Sequence, residues 1–104
     1  MASLHTFIQD YEWHLARLEE LRALLEERRA AARTELERAA RPGAHDRLAA
    51  QLAAIESAIE RIDRGLYGAC RRCGTFIPLT VLFQAPHEQR CPDCARLTAK
   101  EMAA

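Results

Sequence analysis

A chain of 104 residues holds one compact domain, or a small domain with an extension. Lysine plus arginine and aspartate plus glutamate both number 15, so no overall basic charge favours DNA. Aromatic residues are few and Ala, Leu, Arg and Glu abundant, a composition close to that of coiled coils, and no apolar run is long enough to span a bilayer.

From Leu4 to about Ala40 there is neither proline nor glycine. Leu4, Ile8, Tyr11, Leu15, Leu18, Leu25, Ala32, Leu36 and Ala39 share one alternating three-and-four stripe. Arg22 and Arg29 interrupt it, with Leu21 beside the first. The spacing predicts a long helix with a coiled-coil seam, ~55 Å if unbroken. Glu19, Glu26, Arg33 and Glu37 populate its solvated faces.

Arg41-Pro42-Gly43-Ala44-His45 breaks this helix. Pro42 disfavours helical geometry at Arg41, and Gly43 permits a reversal. Asp46 is placed to cap a second helix over residues 46–64. That helix carries a seam of Leu48, Leu52, Ile55, Ile59, Ile62 and Leu66, and Gly65 stops it. Two matching seams joined by a short break predict an antiparallel hairpin. The second helix covers the first only from about Leu21 to Ala40. The start of the first helix, with Phe7, Tyr11 and Trp13, then needs other cover. A globular head is expected there, with Trp13 under the C-terminal segment or, less favoured, exposed as a partner contact, and an arm projecting to a tip near 41–47.

All four cysteines fall in two Cys-x-x-Cys pairs, Cys70/Cys73 and Cys91/Cys94, with 17 residues between them. Two such turns complete the tetrahedral thiolate shell of a structural Zn²⁺. Gly74 allows the positive φ of a knuckle turn, and Pro92 can open a helix whose N-terminus favours thiolate. Disulfides would need an oxidising compartment, and Met1 to Thr6 lacks the features of a secretory signal. A redox dithiol would explain one pair only. With all four ligands spent, no position is left for a substrate, so zinc catalysis is not expected. His5, His14 and His45 form no ligand cluster in the sequence, and His87, four residues before Cys91, is expected at the surface. Between the pairs, Pro78 and Pro86 bound a short helical turn or, less favoured, an irregular strand.

The run Arg61-Ile62-Asp63-Arg64-Gly65-Leu66-Tyr67-Gly68-Ala69-Cys70-Arg71-Arg72-Cys73-Gly74-Thr75-Phe76-Ile77, followed by Leu82, Pro86 and Cys91-Pro92-Asp93-Cys94, resembles the DksA/TraR zinc-finger family. The detailed match covers about the last third of the chain; the hairpin before it is similar in architecture. The resemblance implies a mainly α fold: an antiparallel coiled-coil helical hairpin with a four-cysteine zinc-finger head and a short C-terminal helix. Residues 1–66 would form the hairpin arm. Residues 67–104 would form the zinc module, packed on the start of the first helix.

It also implies a cytoplasmic, monomeric bacterial transcription regulator, not an enzyme. Such a protein binds RNA polymerase rather than a DNA sequence, inserts its arm into the secondary channel and alters initiation, often with the alarmone ppGpp of the stringent response. One structural zinc on Cys70, Cys73, Cys91 and Cys94 belongs to that picture. The family tip carries Asp-x-x-Asp-x-Ala, and Gly43 to Leu48 here retains only the second aspartate, Asp46. His45, Asp46 and Arg47 are the candidate polymerase-contacting residues at the tip. Thr80 and Val81 precede Leu82 where relatives often carry a basic residue, so dependence on ppGpp stays open. A zinc-ribbon nucleic-acid binder and a stress-related adaptor are the alternatives. The first is disfavoured by the lack of a basic stripe and of stacking aromatics in the arm.

Overall fold

A computed structural model describes the backbone of residues 4–103 and the side chains of residues 12–97. Four helices follow in order: α1 (Leu4–Arg38), α2 (Pro42–Asp63), α3 (Leu79–Gln84) and α4 (Pro92–Ala103). The molecule is elongated, 58 × 33 × 21 Å. The fold is mainly α, an antiparallel helical hairpin with a four-cysteine head and a short C-terminal helix.

The hairpin is held by one apolar seam. Leu25 and Ala32 of α1 meet Ile55, Ala58 and Ile59 of α2, with Leu52, Ile62 and Tyr67 at the margins. Antiparallel register is also marked by ion pairs between the helices, Arg22 to Asp63 near one end and Arg33 to Glu56 further along at 3.4 Å. Both are exposed and add little to stability. One of the two arginines that interrupt the predicted stripe, Arg22, thus reaches the facing helix.

The turn between the helices differs from the expectation: Gly43, Ala44 and His45, expected in the break, lie inside α2, and the break itself falls at residues 39–41. Asp46 does not cap α2. The helix begins four residues earlier, with Pro42 in its first turn and Arg41 as the N-cap, at φ −94° and ψ 132°. Proline suits this place because its missing N–H has no intrahelical acceptor there, and its ring drives the preceding residue into extended geometry. The His45 N–H already donates to the Arg41 carbonyl at 3.0 Å. Asp46 therefore lies inside the helix, exposed. The far end of α2 ends as expected. Gly65 takes φ 74°, its N–H donates to Ile62 O at 3.1 Å, and Leu66 N–H donates to Arg61 O at 2.8 Å. This is the Schellman arrangement, which satisfies two orphan carbonyls and needs a left-handed residue. Leu66, past that stop, is 51% exposed and leaves the seam.

A second apolar cluster forms the head. Leu21 of α1, fully buried, packs with Ile77, Leu82, Cys70, Cys91 and Cys94. The inter-cysteine segment supplies most of this core, with α3 filling the span between Pro78 and Pro86 as a short helix. Trp13 is not buried under the C-terminal segment: it is 52% exposed, with the Arg17 guanidinium 5.4 Å above its ring. The expected burial of Phe7 and Tyr11 falls on side chains outside the described residues.

Candidate metal centre and arm tip

The first cysteine pair sits on a small hairpin. Ala69 and Phe76 form an antiparallel bridge, with Cys70 N–H donating to Thr75 O at 2.7 Å and Ile77 N–H to Gly68 O at 2.8 Å. Gly74 closes the turn at φ 80° and donates to Cys70 O at 2.8 Å. The second pair opens α4. Pro92 is the first residue of that helix, and the Ala95 N–H donates to Cys91 O at 2.9 Å. Cys94 thus lies in the first turn of a helix, where backbone N–H groups face outward.

These two turns bring the four sulfurs within 4.8 Å of one another. Cys73 Sγ and Cys91 Sγ are 3.8 Å apart. A tetrahedron with metal–sulfur bonds of about 2.3 Å has edges of about 3.8 Å, so this spacing fits one ion. Cys70, Cys91 and Cys94 are buried and Cys73 is exposed. All four are free of disulfides.

Local electrostatics separate the thiols. Burial pushes Cys70 up, but backbone N–H groups of Cys91, Cys73 and Arg72 outweigh it and bring it down to about 6. Cys73 is lowered chiefly by the Thr75 hydroxyl, whose oxygen lies 3.3 Å from its sulfur. Cys94 is pushed up to about 12, first by its hydrogen bond with Cys91 and then by burial. Cys70 and Cys73 are thus favoured as thiolates by nearby donors, while the crowding of sulfurs resists ionisation of Cys94. A divalent cation at their centre would remove that resistance and hold all four as thiolates.

A polar clasp with no one-dimensional motif joins this head to the arm. Arg61, in the last turn of α2, donates from Nη2 to Leu66 O at 2.9 Å and to Ala69 O at 3.0 Å, and from Nε to Gln89 Oε1 at 3.0 Å. Gln89 is only 4% exposed. Its Nε2 donates to Pro86 O and Glu88 O, both at 3.2 Å, and its carbonyl accepts from Arg71 N–H at 2.8 Å. Tyr67 completes the joint, its hydroxyl donating to Pro86 O at 2.9 Å; burial pushes its pKa up to about 12. One signal was available: Arg61 stands in the last helical turn, four residues before the Gly65 stop, where a donor side chain can serve carbonyls beyond the helix end.

The tip residues are far from the sulfurs. His45, Asp46 and Arg47 are exposed near the start of α2, and Asp46 lies about 25 Å along the axis from that helix's last residue, Asp63. Arg38 and Arg41, which flank the break between the helices, are exposed as well. His87 is half-buried and does not join the cysteine group. With Arg71, Arg72, Glu88 and Arg90 it lines an open groove of about 760 Å³ against Ala50, Ala54 and Ser57 of α2. Among the described residues no helix is long and apolar enough to cross a membrane.

Solved structures share this architecture. Transcription factor DksA2 from Pseudomonas aeruginosa superposes with a TM-score of 0.69 and 23% identity, over 86% of this chain and 88% of that one. The RNA polymerase binding protein and transcriptional regulator Dks from Chlamydia trachomatis L2 (LGV434) gives 0.58 and 23% identity, over 83% and 94%. An uncharacterized protein of Aquifex aeolicus (strain VF5) is 40% identical over 52 residues, which is 50% of this chain and 36% of that protein's length. No family model matches the sequence. The fold expected from the cysteine-flanking motif is thus the fold found.

Proposed function

We propose that this chain is a zinc-stabilised, cytoplasmic regulator that binds bacterial RNA polymerase as a monomer, through a hairpin arm directed into the secondary channel, and so modulates transcription initiation. The observation that carries this reading is the shared architecture with the two Dks-type structures, head and arm together. Physical features support it. The formal net charge is zero, which gives no electrostatic footprint for duplex DNA. Four thiolates around one ion leave no open coordination position, so the metal serves folding rather than catalysis. The apolar inter-cysteine segment makes a small core, and metal binding would supply most of the head's folding free energy.

Capture on purified core polymerase tests the reading. Binding to polymerase, with none to random duplex DNA at physiological salt, is the expected result. Sub-micromolar binding to DNA with none to polymerase would favour a nucleic-acid binder instead. Metal analysis of the purified chain should give one zinc. Cys→Ser at any of the four positions should unfold the head while leaving α2 partly helical by circular dichroism. A fold that survives chelation intact would remove the metal from the account.

A further inference from the structure

The clasp at the base of the arm has a geometry that packing alone does not require. Arg61 belongs to the arm. Its three acceptors belong to the connecting segment, at Leu66 and Ala69, and to the loop before the second cysteine pair, at Gln89. All three acceptors are neutral, so the guanidinium is used for its fixed fork of donors rather than for charge pairing. Gln89 is buried and stands two residues before Cys91, while its carbonyl takes the N–H of Arg71, the residue next to Cys70. One arginine of the arm is therefore wired to both cysteine turns, each through a backbone or amide group beside a metal ligand.

We propose that Arg61 and Gln89 couple the metal site to the direction of the arm. An ion that draws the two cysteine turns together fixes Gln89 relative to Leu66 and Ala69, and so builds the complete acceptor set for Arg61. The arm then has one orientation relative to the head. With the turns apart, Gln89 leaves the set, and the connection between α2 and Cys70 becomes a hinge. Arg61 is a positioning residue: it touches neither the ion nor a partner. This inference rests on the metal proposed above but not on the identity of the partner.

The test measures geometry in the full-length chain. Spin labels are carried on unnatural amino acids at two exposed positions, Glu37 in the arm and Thr80 in the head, because thiol reagents would attack the cysteines. Zinc content is measured on each sample. The zinc-loaded chain should give a single narrow distance peak, and chelation should abolish it. Arg61→Met keeps an unbranched apolar stem and removes all three donors. It should retain its zinc and yet lose the narrow peak. A purely structural contribution would lower the melting temperature and leave the peak unchanged, and that result overturns the proposal. Gln89→Met removes only the link to the second turn and serves if Arg61→Met does not fold. It should broaden the peak with zinc still bound, and an unchanged peak again sinks the idea. Absence of zinc from the unmodified chain overturns the proposal too, and the metal analysis distinguishes that failure from a failure of coupling.

Discussion

His87 illustrates how much one buried atom can decide. Its Nδ1 is buried without a hydrogen-bond partner among the described residues. Burial first, and then the charge of Arg28, hold its pKa below the ordinary 6.5, while Glu88 pulls weakly the other way. Well above that value the ring is neutral whether the chain is folded or not. As pH falls through it, the unfolded chain takes up the proton first, so stability declines toward acid. His87→Gln should flatten the change in melting temperature of the zinc-loaded protein between about pH 7 and about pH 5.5. An identical slope in both proteins would remove His87 from the account. From the sequence, the expectation was a surface histidine, because the fold that half-covers it depends on a loop with no periodicity to read. Asp46 teaches the complementary lesson. Both Asp46 and Pro42 carry helix-start signals, and proline prevailed because its fixed φ and missing N–H are wanted only in the first turn.

At the scale of elements, the start and end of α2 are set by different chemistry. Its end depends on Gly65, at φ 74°, with no atom within 4 Å of where a Cβ would stand. Gly65→Ala thus creates no clash, and its cost is conformational: about 1 kcal/mol for a left-handed alanine. Denaturant unfolding of the zinc-loaded protein should register that loss with an unchanged slope; no loss would mean that the helix stop tolerates another geometry. The helices themselves were legible, because three-and-four apolar spacing, Pro42, Gly65 and Pro92 each carry a mechanism visible in one dimension. The four-sulfur centre was legible for the same reason, since spacing fixes how many ligands each turn can offer. The clasp was not. Its partners, Arg61 and Gln89, are 28 residues apart, and their pairing depends on how the head folds back on the arm. Leu21 shows the same limit: it lies beside the predicted stripe, and its full burial comes from the head core rather than from the helical seam.

At the scale of the molecule, a neutral chain presents an uneven end. The cysteine centre and the tip lie at opposite ends of α2, and the 38–47 stretch at the tip carries Arg38, Arg41 and Arg47 with one acid, Asp46, all four exposed. In the proposed complex, head and arm flanks would provide most of the contact area, whereas the tip would act by charge within an active-site channel. Asp46 is the only acidic residue of the 38–47 stretch, so it is the residue to test. Asp46→Asn suits the purpose because α2 starts at Pro42, not at this carboxylate, and the exchange keeps side-chain shape. Loss of the acid from the first turns of the helix costs at most about 1 kcal/mol. Polymerase binding should stay within a few-fold, while the effect on transcription in vitro should fall. The competing possibility is that the tip, with only one of the family's two aspartates, is already inactive and that the arm acts by occupying the channel. Measuring binding and transcription on the same two proteins separates these. Equal transcriptional effects at equal occupancy would mean that Asp46 is only an exposed helical residue, and the active-tip reading would have to be dropped.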